Sequence, residues 1–487
     1  MKKFAGALLV GALALVGCGD DGDTADDTPT TTTGTSTAAT AAGPTTTAAP
    51  IKAALDTAFG TNGIVASPLS ATEHDRFMAV AVAPDGKVYA AGFVSIAGDQ
   101  AMAVARLDAN GKLDTTFGTN GYAVANASVG GKLVEAARGI AIQSDGKIVI
   151  GGVTEHDPKA TGDAAKDTDI AVARFDNTGK LDPAFGKAGI AVIDVGPGKA
   201  TSATAFVGDN GWGVGSTSDD RVVVFGSTLA AGANRVDADY VLVGLTKAGV
   251  LDTAFGTGGS VKVDSKGNGI DNPRNLIVQS DGKIVATGYS ADGDGVVSPH
   301  LIRTSTTGVL DATFGTGGVA SAKVLPGVAE SYNVRQQGDK YVLGGYGRGA
   351  DAAEKVDLIV YRFTGAGQFD TTFGTAGVTR IDIAKDDDRA RNLLVLPDDR
   401  ILAAGSGKKT AADVDAMMVL LNKDGAPVAD FGAGGNLISD LGGPADAWYG
   451  VALSADKKSV IFVGYKGTSA TSGGNDDAVV ARVKIAA

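Results

Sequence analysis

The sequence predicts an all-β chain, a seven-bladed β-propeller of four-stranded antiparallel blades, and three observations carry that expectation. A short phrase, Leu-Asp-x-x-Phe-Gly, returns along the chain with its phenylalanine at Phe59, Phe117, Phe185, Phe255, Phe314, Phe373 and, in a decayed copy, Phe431. The spacing is close to regular and long enough for one four-stranded unit per copy. Between copies lie three further short apolar or alternating runs bounded by Gly, Asp, Asn or Pro, and no run with a helical period interrupts them. Glycine supplies 71 of the 487 residues, as frequent tight turns require.

Three domains follow from composition. Residues 1–17 read as an export signal: Lys2 and Lys3 are followed by an apolar stretch from Phe4 to Val16, too short to span a bilayer. The closing Leu15-Val16-Gly17-Cys18 resembles the lipobox of bacterial lipoproteins, which implies cleavage before Cys18 and lipidation of that residue. The alternatives are an ordinary secretory signal or a short membrane helix. Cys18 is the only cysteine, so no internal disulfide or structural zinc site can form. The residue after it is Gly19, not aspartate, and the lipoprotein resemblance then implies the outer membrane or cell surface. Residues 18–50 are acidic, then rich in Thr, Ala, Gly and Pro, and hold no large apolar side chain, which predicts a disordered tether. Its root-mean-square reach as a flexible coil is about 30 to 35 Å. Residues 51–487 form the repeat domain.

Within one repeat the first strand is expected at Phe77 to Ala83, the second at Lys87 to Val94 and the third at Met102 to Leu107. Pro84-Asp85-Gly86 turns the first into the second, glycine supplying the positive φ. The phrase then leads into a fourth strand at Tyr122 to Ala125. The chain opens with a bare phrase and one strand, Gly63 to Ser67, and closes on a third-type strand, Ala478 to Ile485, so the N-terminal strand is expected to complete the last blade as a clasp. The repeated Phe is expected in the packing between blades, and the Asp beside it on nearby backbone amides.

Taken together, Leu-Asp-x-x-Phe-Gly-x-x-Gly, the Asp-Gly-Lys-(Ile/Val)-Val-x-x-Gly turn and the Ala-Val-Ala-Arg-(Leu/Phe) strand resemble the delta-60 repeat family of bacterial surface and secreted proteins. That resemblance implies a propeller and carries no shared catalytic site.

Candidate sites are few. Arginines recur just before the first strand, each with an acid three residues earlier: Glu73 and Arg76, Glu135 and Arg138, Asp271 and Arg274, Asp388 and Arg391. They read either as a charged ring at one channel mouth or, the favoured reading, as local salt bridges. Ala205, Asn333 and Tyr449 are read as the replacements in other blades. Arg106, Arg174, Arg303, Arg362 and Arg482 recur in the third strand with the same ambiguity. Trp212, among glycines 208–215, reads as an exposed stacking surface or as a loop folded onto its own blade. Asp292-Gly-Asp294 opens like a calcium loop but lacks the closing glutamate, and His74, His156 and His300 form no triad or metal motif in sequence. No catalytic residue, metal or cofactor is expected. A net charge of −12 disfavours nucleic acid as a partner. The expectation is a lipid-anchored envelope protein, held in the membrane through Cys18, that binds or scaffolds protein or glycan. The alternatives are a glycan-cleaving hydrolase or lyase at the channel mouth and a purely structural envelope protein.

Overall fold

The computed structural model describes residues 54–66, 69–70, 73–131, 135–200, 206–232, 235–265, 269–291, 295–383, 386–410, 413–467 and 476–485. Cys18, the tether, Ala205 and Asp292 to Asp294 lie outside them. Nearly all regular structure is β; the single helical turn among the described residues is Gly162–Lys166. No helix there is long and apolar enough to cross a membrane.

The strands pair in chain order into four-stranded antiparallel units. Unit 1 is Asp75–Val82, Val88–Ile96, Asp99–Leu107 and Tyr122–Ala125, and unit 2 is Ala136–Ile142, Ile148–Glu155, Thr168–Phe175 and Ile190–Ile193. Unit 3 is Asn210–Ser216, Val222–Leu229, Ala238–Leu245 and Ser260–Val263; unit 4 is Asp271–Val278, Ile284–Ala291, Val297–Thr304 and Val319–Ser321. Unit 5 is Asn333–Gln337, Lys340–Arg348, Asp357–Phe363 and Val378–Ile381, and unit 6 is Asp388–Val395, Ile401–Thr410, Asp413–Leu421 and Asn436–Ser439. Unit 7 supplies Ala445–Leu453, Ser459–Gly467 and Asp477–Lys484. Its fourth strand is the N-terminal Ile64–Ala66, which pairs antiparallel with the third, Ile64 opposite Ala481 and Ala66 opposite Val479. Lone parallel bridges, Val297 to Val328 and Val414 to Ala445, connect units 4 to 5 and 6 to 7.

The first strand of each unit packs on the first strand of the next, and Asp75–Val82 of unit 1 packs on Ala445–Leu453 of unit 7, so these strands form a closed cycle around one axis. Each sheet has two apolar faces and needs a neighbour on both, and the core is accordingly divided into clusters shared between adjacent units.

The repeated phrase is the fastener. Phe59, Phe117, Phe185, Phe255, Phe314 and Phe373 are all buried. The Asp carboxylate accepts the backbone N–H two residues on, as in Thr116 N to Asp114 Oδ1 at 3.1 Å. The phrase glycine donates its N–H to a turn carbonyl of the adjacent unit, for example Gly118 to Thr178 and Gly315 to Ala366.

The third-strand arginines complete the fastener, which settles their ambiguity. Arg106, Arg174, Arg303, Arg362 and Arg482 pair with the phrase carboxylates Asp114, Asp182, Asp311, Asp370 and Asp56 at 2.7–2.9 Å. Their guanidinium carbons sit 4.4–4.9 Å from the phrase ring centroids. Each also donates to a turn carbonyl of the neighbouring unit, as Arg303 does to Gly365 and Arg362 to Lys423. One side chain thus satisfies a buried or half-buried carboxylate, covers a buried ring and ties two sheets together.

Candidate site at the strand bulges around the axis

Six of the first strands carry a β-bulge in the same place, between Phe77 and Ala79, Ala137 and Gly139, Gly211 and Gly213, Pro273 and Asn275, Ala390 and Asn392, and Trp448 and Gly450. The extra residue is Met78, Arg138, Trp212, Arg274, Arg391 and Tyr449 in turn; Tyr332 holds the matching place in unit 5. A glycine on the second strand makes room for the kink. A Cβ on Gly152 would lie 2.0 Å from the Ala136 carbonyl oxygen, and one on Gly288 2.2 Å from that of Asn272. Bulges re-aim a side chain out of the pleat, and here they present one residue per unit around the axis.

From unit 2 to unit 7 these residues alternate cation and ring: Arg138, Trp212, Arg274, Tyr332, Arg391, Tyr449. The guanidinium carbons of Arg138 and Arg274 lie 4.1 and 4.2 Å from the Trp212 ring centroid. Arg274 is 4.5 Å from the ring of Tyr332 and 4.9 Å from that of Tyr289, and its Nη2 donates to the Tyr289 hydroxyl at 2.6 Å. Arg391 lies 4.9 Å from Tyr332 and 5.6 Å from Tyr449. A second layer of rings backs the row: Tyr346 hydrogen-bonds Tyr332 between hydroxyls at 3.1 Å, and Tyr465 packs on Tyr449 with centroids 5.8 Å apart. Met78 in unit 1 interrupts the alternation. Stacking each guanidinium against ring faces lets three like charges stand close together, with Arg274 buried and Arg138 and Arg391 partly hydrated. Trp212, Arg138, Arg391 and Tyr449 are half-buried.

Three of the four expected acid–arginine pairs do not form. Glu73 accepts the N–H groups of Ala97 and Gly98, Glu135 that of Ala127, and Asp271 that of Ser265, and none of these three pairs with its arginine. Buried acids at the head of the first strand, Asp75, Glu135, Asp209, Asp271, Asp388 and Asp446, each hold the loop that leaves the preceding unit's fourth strand. Burial pushes these carboxyls up, to about 6 for Asp75 and Asp446 and about 7 for Glu135, Asp209 and Asp271.

Two further readings change. The partner of Arg138 in register is Met78, two residues beyond Arg76, because the acid equivalent to Glu135 is Asp75 and not Glu73. Arg76 instead donates from Nε to Asp476 at 2.7 Å and stacks 4.1 Å from Tyr465, joining unit 1 to unit 7. Trp212 belongs to the first strand Asn210–Ser216 rather than to an inserted loop, and its ring is contacted by arginines of both neighbouring units. In unit 5 the matching residue is Tyr332 and not Asn333.

Among the described residues three carboxylate-bearing groups bring possible ligand atoms within 4.8 Å of one another: His156, Asp169 and Asp194; Asp357, Asp382 and Asp388; Asp415, Asp440 and Asp446. The chain already places a basic side chain on the first two, His156 Nδ1 at 3.0 Å from Asp169 and Arg380 on Asp357. In unit 3 Arg235 does the same among Asp237, Asp239 and Asp264. His74 meets Asp476 at 3.3 Å, while His300 is buried beside the Tyr240 hydroxyl.

A family model described as a domain of unknown function (DUF5122) β-propeller matches residues 83–117, 143–185 and 279–314. With the cycle of four-stranded sheets this identifies the fold as a β-propeller. Among curated proteins none matches the sequence. Similar solved structures include a protein of unknown function from Dyadobacter fermentans DSM 18053, at 12% identity over 87% of this chain and 98% of that one, TM-score 0.43. The polysaccharide lyase Uly1 is similar at 10% identity over 85% of this chain and 90% of that one, TM-score 0.47. A Trypanosoma rangeli sialidase in complex with sialic acid is similar at 10% identity over 87% of this chain and 57% of that one, TM-score 0.38. All three scores lie below 0.5 and transfer no chemistry to this chain.

Proposed function

We propose that this β-propeller is a seven-bladed binding module of the bacterial cell envelope, tethered by residues 18–50 to a lipid on Cys18, that captures an acidic glycan at the mouth formed by the bulge residues. The observation that carries this reading is the alternation of Arg138, Trp212, Arg274, Tyr332, Arg391 and Tyr449 around the axis. A chain of net charge −12 gathers three guanidiniums on one rim. Glu135 and Asp271, three residues before Arg138 and Arg274, are turned onto loop amides and held near 7, where a carboxyl is about half protonated. The rim therefore attracts anions, and its half-buried ring edges offer apolar surface to a sugar.

Binding is favoured over cleavage. Glycoside cleavage needs two carboxyls facing the scissile bond across roughly 5 to 10 Å, and Glu135 and Asp271 beside this rim are engaged with backbone amides. An array of acidic and neutral glycans, probed with the wild-type chain and with Arg274→Gln, tests the reading. Retention of acidic glycans that weakens at least about tenfold in the variant is expected, and equal retention of acidic and neutral glycans by the wild-type chain would contradict it.

A further inference from the structure

The mouth is not the only cationic feature on the axis. Three residues beyond Tyr332 on the first strand of unit 5 stands Arg335, about 10 Å deeper at the usual strand rise. In the other units the same register position holds Ala81, Ala141, Gly215, Ile277, Leu394 and Ala452, set by pairing opposite Tyr89, Val149, Val223, Val285, Leu402 and Ile461. Six units place a small or aliphatic residue there, and one places a guanidinium.

Its partners are all neutral. Nη1 donates to Asn275 Oδ1 of unit 4 at 3.2 Å and to the Val334 carbonyl at 2.9 Å, and Nη2 donates to Asn392 Oδ1 of unit 6 at 3.3 Å. Reaching both flanking units from one strand puts the guanidinium across the lumen. No described carboxylate lies within ion-pair distance. Protein surrounds the group closely enough to push its pKa down to about 10 through desolvation alone, yet the side chain is only half-buried, so solvent enters by the lumen. A desolvated charge without a counter-ion is among the costlier arrangements in a protein interior.

The neighbouring layer is polar on the same side. Asn275, Asn333 and Asn392 follow the bulge in units 4, 5 and 6, where units 1, 2, 3 and 7 have Ala79, Gly139, Gly213 and Gly450. Symmetry is thus broken twice in one sector, once by a cation and once by amides. The Asn392 amide is fixed with its oxygen toward Arg335, since its Nδ2 donates to the Tyr449 carbonyl at 3.0 Å and its Oδ1 also accepts the Leu393 N–H at 2.9 Å, whereas the Asn275 amide can turn to offer its nitrogen to an oxyanion.

We infer that Arg335, with Asn275 beside it, is a seat for a single carboxylate in the lumen, separate from the mouth. One unbalanced positive charge matches a monoanion, and the planar fork fits two carboxylate oxygens side by side. A phosphate near its dianionic state would overcharge the seat. The seat does not rest on the mouth binding a glycan, because a small carboxylate needs no stacking surface.

The test uses the full chain with sodium acetate as the probe, read by saturation transfer from protein to the acetate methyl protons at constant ionic strength. Wild type should saturate acetate, and inorganic phosphate at equal concentration should displace it poorly. Arg335→Gln should lose the signal, and Arg335→Lys, which keeps the charge without the fork, should weaken it several-fold. Lys159→Gln, at an exposed position of unit 2, should leave it unchanged, and glycan retention at the mouth is read separately, so a failed mouth and a failed seat give different patterns. Absence of saturation in wild type, equal saturation in folded Arg335→Lys, or displacement by phosphate as strong as by a second carboxylate would overturn the proposal.

Discussion

Arg274 lies 4.2 Å from the ring centroid of Trp212, and Arg138 lies 4.1 Å from the same ring, so one indole joins the first strands of three consecutive units. The contact is built by a bulge in each strand, and it links fold to site: whatever keeps the bulges keeps the rim.

Trp212→Ala removes the shared ring. Stability should fall by about 2–3 kcal/mol from lost packing and two lost cation–π contacts, and affinity for acidic glycans should fall with it because the two arginines are no longer held. Calorimetric melting beside a binding titration checks both effects.

The fastener arginines should behave oppositely. Arg303→Ala removes one partner of the half-buried Asp311, which keeps Lys283 at 3.2 Å, and uncovers Phe314, which should cost about 1–3 kcal/mol while leaving the binding affinity of the folded fraction unchanged. Denaturant titration measures the first and a glycan titration the second.

Gly152→Ala drives a methyl group into the Ala136 carbonyl oxygen. The bulge at Arg138 must then open, so both melting temperature and rim binding should drop, whereas Gly146→Ala meets no neighbouring atom and strains only its turn at φ 83°. A larger loss of binding at Gly146 than at Gly152 would contradict the role given to the bulge.

Acidification should stabilise the protein over a defined window. Asp75, Glu135, Asp209, Asp271 and Asp446 ionise near 6 to 7 in the folded chain, and near the ordinary value of about 4 when unfolded. Between those values the folded state holds protons that the unfolded state has released, so stability falls as pH rises from about 4 to 7. Asp311 and Asp370, held well below the usual range by hydrogen bonds and basic neighbours, act the other way only below about 4. Melting temperatures should therefore peak near pH 4 to 5 and stand on a plateau above 7.

Much of this was legible in the sequence. The phrase, its buried phenylalanine and the turn it makes were readable because each copy repeats the same local chemistry, and the N-terminal strand pairs with the last unit as the unmatched chain ends suggested. The rim was half legible. Its arginines were visible, but Arg76 was grouped with them because Glu73 mimics the spacing of Glu135, and a bulge shifts register without any mark of its own. The signal lay elsewhere: counting back fourteen residues from the second-strand glycines Gly152, Gly226, Gly288 and Gly405 lands on Arg138, Trp212, Arg274 and Arg391. Arg335 left no trace, since an arginine in a strand announces neither its depth nor the neutrality of its partners.

The most direct measurement is a paired calorimetric titration of the wild-type chain and Arg274→Gln with an acidic oligogalacturonate and with a neutral galacto-oligosaccharide of equal length. The account predicts that wild type binds the acidic ligand, that raising the salt concentration weakens this binding, and that the folded Arg274→Gln variant loses at least about tenfold in affinity. Equal affinity for the two ligands, or an Arg274→Gln variant that binds the acidic ligand as wild type does, would contradict it.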